Sequence, residues 1–166
     1  LRREEAICLY TALSTDTGNF VYQNTNAEAF QIMEQLMKAE LPIAHYARIL
    51  FRCKEKEHIA LLGKALPTMR YLCGGEIAGI RLGLKEIAAA GATSEHADGV
   101  VDYAIDVAGV KMAYFARETE SGMIKFSLRA IMPYRVDGVA EQYGGGGHQL
   151  AAGCTLPGPM RQAVRK

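Results

Sequence analysis

The spacing of apolar side chains changes partway along this chain, and that change limits the folds open to it. Ala6, Ile7, Leu9, Tyr10 and Leu13 lie mostly on one helical stripe. Ala29, Ile32, Met33, Leu36 and Met37 recur at helical spacing behind Thr25-Asn26-Ala27-Glu28, which has the pattern of a capping box. Leu41-Pro42 ends that helix, because the residue before proline avoids helical angles. Short stripes follow at Ile43, Tyr46, Ala47, Leu50 and Phe51, and at Ile59, Leu62 and Leu66. Beyond residue 67 a period of two takes over. Thr68–Cys73 and Glu76–Leu82 flank Gly74-Gly75, a hairpin signal. Val110, Met112, Tyr114 and Ala116 alternate, as do Ile124, Phe126, Leu128 and Ala130, with Glu118–Gly122 as the linking loop. On the second of these strands Lys125, Ser127 and Arg129 face away from the apolar side. Between the hairpins, Ala97, Val100, Val101, Ala104, Ile105 and Ala108 predict one amphipathic helix. Asp137 reads as the N-cap of a short helix through Tyr143, and a strand is expected around Cys154–Leu156. The expected fold class is α/β. Helices occupy residues 1–52, a helical connector occupies 53–66, and a mixed β-sheet flanked by helices occupies 67–166. The run Lys54–His58 reads as a solvated face of the connector.

Composition narrows the function classes. The chain has 166 residues, 49% of them hydrophobic and 22% charged, which is ordinary for a globular protein and unlike a disordered one. No apolar run approaches the ~20 residues that a membrane span requires, so no membrane partner is expected. A formal net charge of +1 excludes a strongly basic nucleic-acid coat but leaves room for a local basic patch. Cys8, Cys53, Cys73 and Cys154 form no C-x-x-C pair, which argues against a structural zinc site. Four reduced thiols, mostly buried, in a cytoplasmic protein are expected. The chain opens Leu1-Arg2-Arg3, without Met or a signal-peptide pattern, and closes inside a helical segment; both features suggest a piece of a longer protein.

Gly144-Gly145-Gly146-Gly147-His148 is the sharpest local feature. Glycine costs conformational entropy on folding, so four in a row amid packed sequence need a reason. One reading is an anion cradle of successive backbone N–H groups, helped by a following helix N-terminus, with His148 donating to phosphate. The other is a flexible loop. The run lacks the spacing of a dinucleotide fingerprint, and no Gly-Lys-Ser/Thr follows it as in a P-loop. Arg129 offers a planar fork that suits phosphate, or else is a surface arginine on a half-exposed sheet. Its case depends on whether it neighbours His148. Asp16, in Thr-Asp-Thr-Gly, reads locally as a turn or N-cap residue. One carboxylate does not hold a catalytic metal, and His45, His58 and His96 are scattered.

Taken together, three stretches resemble the DHH phosphoesterase superfamily, in the branch of nanoRNA-degrading oligoribonucleases, pAp phosphatases and exopolyphosphatase-related proteins. Leu9 through Phe20, with Asn24-Thr25, is similar to the last metal-binding motif of the catalytic domain. Asp98-Gly99-Val100-Val101 through Gly109-Val110 is similar to a helix and strand of the associated C-terminal domain. Ser127-Leu128-Arg129-Ala130, Val139 through Tyr143, the glycine run, His148 and Ala151-Ala152-Gly153 resemble that domain's substrate-binding signature. The D-x-D motif, a further aspartate and the Asp-His-His triplet of the family do not occur here. Ala130 replaces the second serine of the family's Ser-x-Arg-Ser, and His148 stands where the alanyl-tRNA editing relatives usually carry Arg. The resemblance therefore implies the tail of a catalytic domain over 1–52, a linker over 53–66 and a substrate-binding domain over 67–166. It implies a manganese-dependent phosphoesterase acting on short single-stranded RNA or pAp. Asp16 would be a catalytic metal ligand. Ser127, Arg129, Gly144, Gly145, Gly146, Gly147 and His148 would hold the substrate's phosphate or terminal nucleotide. The isolated piece would be inactive, and a homodimer would cover orphaned helical faces. Alternatives are a non-catalytic nucleotide- or RNA-binding module, a cyclic-dinucleotide or polyphosphate phosphohydrolase, and a cytoplasmic interaction domain.

Overall fold

The computed structural model describes residues 1–165 and divides into two compact units, the first Leu1–Lys54 and the second beginning at Glu55. In the first unit, α1 (Arg3–Asp16), α2 (Ala27–Met37) and α3 (Ile43–Ala47) lead into a π-helical turn, Arg48–Arg52. The periodic apolar positions make its core: Ala6, Tyr10, Leu36 and Leu41 are buried, with Ile7, Leu13, Met33, Tyr46 and Leu50 packed around them. The Asn26 side chain, not Thr25, caps α2 by accepting from the Ala29 amide at 3.0 Å. Adjacent Thr and Asn are both competent caps, so residue type alone does not choose between them.

In the second unit, α4 (Lys56–Ala65) precedes a six-stranded mixed sheet. Its strands are β1 (Arg70–Leu72), β2 (Ile77–Leu82), β3 (Met112–Glu118), β4 (Met123–Ala130), β5 (Gly146–His148) and β6 (Ala151–Pro157), in spatial order β1-β2-β3-β4-β6-β5. The β1–β2 hairpin forms as expected, its turn passing through left-handed Cys73, Gly74 and Gly75. β2 and β3 are parallel, as a crossover through α5 (Leu84–Ala89) and α6 (Asp102–Ile105) permits, and the other pairs are antiparallel. Strand alternation divides the sheet into two faces. On one, Ala78, Ile80, Leu82, Ala113 and Phe115 pack against Leu61, Leu62, Ala65, Ile87, Val100, Val101 and Ala104. On the other, Ile124, Phe126, Leu128, Ala130, Ala152, Cys154 and Leu156 pack with Ala140 of α7 (Asp137–Gln142) and Ala163 of α8 (Met160–Ala163).

Four further expectations change. The run Lys54–His58, expected as a solvated face, ends in buried His58, whose Nδ1 donates to the His96 carbonyl at 2.8 Å, and the helix goes on to bury Leu61 and Ala65 fully. The charged run hid this, because its apolar stripe begins only after His58. The single helix expected over 97–108 is broken into a 3₁₀ turn, Glu95–Ala97, and one turn of α6, with Gly99 at φ 79° between them. Asp137 is the first residue of α7 rather than its cap, a position held by Val136. The cysteines are all free, but only Cys154 is buried; Cys8, Cys53 and Cys73 are exposed. Among the described residues no helix is long and apolar enough to cross a membrane.

Burial of α4 predicts that Leu61→Ala lowers unfolding free energy by about 2–5 kcal/mol in denaturant titration. Ile59→Ala, on the exposed side, should cost less than about 0.5 kcal/mol. Burial also pushes the Cys154 thiol above its ordinary pKa. Reaction of the native chain with a thiol reagent at pH 8 should therefore show three fast cysteines and one that reacts only on unfolding.

Candidate phosphate-binding trough

The residues of interest sit where the helix-covered face of the sheet runs out. On β4 the side chains of Lys125, Ser127 and Arg129 alternate with buried Ile124, Phe126, Leu128 and Ala130. The ladder then aligns them with the edge strands. Arg129 is opposite Ala151, which is opposite His148. Ser127 is opposite Gly153, which is opposite Gly146. Directly opposed residues in antiparallel pairs project on the same face. Arg129 and His148 therefore share one face, two strand spacings or about 10 Å apart. Only the methyl group of Ala151 lies between them, and the next row offers Ser127 and a floor of two glycines. The result is a shallow trough with a cation-capable group on each side.

Arg129 is aimed by the fold. Its Nε donates to Asp102 Oδ1 at 2.9 Å and its Nη1 to the Leu128 carbonyl at 3.1 Å. The Nη2 group has no protein acceptor among the described residues. Both side chains of the Arg129–Asp102 pair are partly exposed, so the pair contributes at most about 1 kcal/mol to stability; its effect is orientation. Asp102 is a partner of Arg129 that no sequence motif marks. It stands 27 residues before Arg129, and only the docking of α6 brings the two together.

The glycine run is not the expected nest. The amides of Gly144 and Gly145 donate to the Glu141 and Ala140 carbonyls, closing the C-terminal turn of α7. Gly146–His148 continue as an edge strand paired with β6, so no helix N-terminus follows. The turn end that precedes the run carries the negative end of a helix dipole, not the positive one. An edge strand nonetheless leaves outward N–H groups unpaired. The flexible-loop reading fails as well, since the ladder to β6 anchors the run. Three of the four glycines are demanded by the fold. Gly144 has φ 72°, a Cβ on Gly145 would lie 2.1 Å from the Gly153 carbonyl oxygen, and one on Gly147 would lie 2.5 Å from that of Ala151. Gly146 has neither a left-handed angle nor any atom within 4 Å of where a Cβ would be. His148 is exposed beside it.

Asp16 belongs to the first unit. It is the last residue of α1 rather than an N-cap, and Asn24 Nδ2 donates both to its carbonyl, at 3.0 Å, and to its carboxylate Oδ2, at 2.9 Å. Around it, the hydroxyls of Thr11, Ser14, Thr15 and Thr17 each donate to a carbonyl four residues back. Gly18, Asn19 and Phe20 then follow in three consecutive left-handed conformations. For residues with a Cβ that backbone costs about 1–2 kcal/mol each, so the loop after Asp16 is held against strain.

As a metal ligand, Asp16 supplies one oxygen, and a divalent ion needs several donors. Among the described residues the one group of three metal-competent side chains is Glu55, Glu57 and His96, whose ligand atoms lie within 4.8 Å of one another. Its histidine is already engaged. Nδ1 accepts from the Thr93 amide at 2.9 Å, so Nε2 carries the proton donated to Glu55 at 2.6 Å. That group is a hydrogen-bonded tie between the start of α4 and the 3₁₀ turn.

Known proteins share this fold. Residues 80–166, just over half of the chain, match the DHHA1 domain model. The chain is 33% identical over 156 residues to the bifunctional oligoribonuclease and PAP phosphatase NrnA of Thermus thermophilus, covering 93% of this chain and 46% of that protein. It is 23% identical over 156 residues to the Bacillus subtilis protein of the same name, covering 94% of this chain and 49% of that one. Among solved structures, an exopolyphosphatase-related protein from Bacteroides fragilis superposes with a TM-score of 0.93 at 28% identity, over 99% of this chain and 48% of that one. The chain thus spans about half the length of the relatives it matches. The fold defines a sheet-based domain whose edge carries the Arg129–Ala151–His148 row. The chain belongs to the DHHA1 domain family, and its likeness to these relatives is to their C-terminal part.

The glycine assignments separate stability from binding. Gly145→Ala should lower stability by about 1–3 kcal/mol, because backbone must move to admit the methyl group. Gly146→Ala should leave the thermal midpoint unchanged, within about 0.5 kcal/mol, as its Cβ meets nothing.

Proposed function

We propose that the trough captures the phosphate and adjoining nucleotide of a short oligoribonucleotide or of pAp, as the grip of a DHH-type phosphoesterase. The observation that carries the reading is the Arg129–Ala151–His148 row, which sets an aimed guanidinium and an exposed imidazole on one face across a side-chain-poor floor. Arg129 has Nη2 left for a phosphate oxygen, and a charge-assisted bond of that kind is among the strong ones. His148 donates a ring N–H from the other side, and the Ser127 hydroxyl serves a further oxygen. The bare surface at Gly146 lets a ribose or phosphate approach the edge-strand amides. The names of the NrnA relatives, oligoribonuclease and PAP phosphatase, supply the substrate class.

In the parent protein Asp16, steadied by Asn24, is one ligand of a manganese centre; carboxylate oxygen is a suitable donor for that ion. When bound, such a centre activates water for attack on phosphorus. This chain's own share is capture and orientation. A grip on few phosphates also suits a net charge of +1, since no extended basic surface is needed. A cytoplasmic setting and a homodimer that covers the exposed helical faces complete the reading.

Titration of the chain with AMP, pAp and short oligoribonucleotides should show saturable binding. Arg129→Ala and His148→Ala should each weaken it by about 10- to 100-fold, the loss of one charge-assisted hydrogen bond. Absence of binding by the folded wild-type chain, or unchanged affinity in both variants, would overturn the reading. These 166 residues alone should show no manganese-dependent hydrolysis, and robust turnover would refute the division of labour.

A further inference from the structure

Beyond the Arg129 row, the same sheet face carries a second cationic row. Arg117 on β3 is directly opposite Lys125 on β4, and Lys125 is directly opposite Thr155 on β6. Lys125 is four residues from Arg129 on one strand. That even separation puts both on the same face, about 13 Å apart along the strand. Like charges in directly opposed register destabilise a sheet. Here neither cation has an acidic partner among the described residues. The adjacent Glu118 is committed elsewhere, its Oε2 accepting from the Leu84 amide at 3.2 Å. Between the two cationic rows the β4, β6 and β5 positions are Ser127, Gly153 and Gly146, while Phe115, opposite Ser127 on β3, is buried in the core beneath the helices and bounds the trough on that side.

We infer that Arg117 and Lys125 form a second phosphate-holding step, with Thr155 as an accessory hydroxyl, so that the trough grips an extended oligonucleotide across about two nucleotide steps. The inference rests on the reading of Arg129 and His148 as the terminal grip, and it adds a length requirement. A mononucleotide held at Arg129 cannot reach Lys125. A trinucleotide spans the floor and delivers an internucleotide phosphate to the unpaired cations. The second row is thus the element that distinguishes a short RNA from a nucleotide phosphate.

The test compares AMP with di- and triadenylate labelled at one end, titrated into the full chain at several salt concentrations. Wild type should bind the trinucleotide about tenfold or more tightly than AMP, with a steeper salt dependence. The double variant Arg117→Gln, Lys125→Gln should bind AMP as wild type does and lose the gain for the trinucleotide. Its log–log salt slope should flatten by about 0.7 for each phosphate no longer neutralised. Removing two opposed positive charges should leave the thermal midpoint at low salt equal or higher, which shows that the variant is folded. The inference is overturned if wild-type affinity does not rise with length, if the double variant keeps the rise, or if it weakens AMP and trinucleotide alike. Equal displacement of bound AMP by tripolyphosphate and by the trinucleotide would also overturn it. The grip itself fails by a separate sign, namely AMP binding that Arg129→Ala leaves untouched.

Discussion

The antiparallel ladder of β4, β6 and β5 is the constraint on which the site depends. Each backbone pairing fixes which side chains share a face, and a slip of one residue would send a whole strand's set to the other side. Arg129 and His148 are brought to one surface by two successive registers, through Ala151, rather than by any contact between them. The same registers align Gly146 with Gly153 and so clear the space beside them. Apolar residues on the opposite face of these strands, among them Phe126, Ala152 and Cys154, hold the register by being buried. The packing of one face thus determines the chemistry available on the other.

Around that ladder the fold uses small, local devices. Asp102 turns Arg129 without neutralising its whole fork, because the bond is made at Nε. Gly145 and Gly147 admit β6 backbone where any side chain would collide, which keeps the edge strand tight against its neighbour. In the first unit, Asn24 fixes the Asp16 carboxylate at the end of a helix whose last turns are tied by hydroxyl-to-carbonyl bonds. The left-handed run from Gly18 to Phe20 follows directly. Strained backbone of this kind persists only where the surrounding structure over-determines it.

Much of the architecture was legible in residue order. The period of two over Ile124–Ala130 showed both the strand and its polar side, and the paired glycines at 74 and 75 marked a hairpin that forms. The α4 helix was harder, since Lys54–His58 carries five charged or polar residues ahead of buried Leu61, Leu62 and Ala65, while Ile59 and Leu66 of the expected stripe are exposed. Gly99 broke a helix that apolar spacing alone had joined. Cysteine exposure could not be read at all, because a single small apolar residue carries no periodic signal.

Sequence by itself determined that Lys125, Ser127 and Arg129 share the polar side of one strand, because side-chain chemistry and alternation are local properties. It also marked the glycine run as special. Only tertiary structure decided why. Three of those glycines answer to the backbone of β6 and to a left-handed turn, and the run is an edge strand instead of a nest. The pairing of Asp102 with Arg129, and the facing of Arg117 with Lys125, likewise arise from helix docking and strand register. Those are long-range alignments that no window along the chain contains.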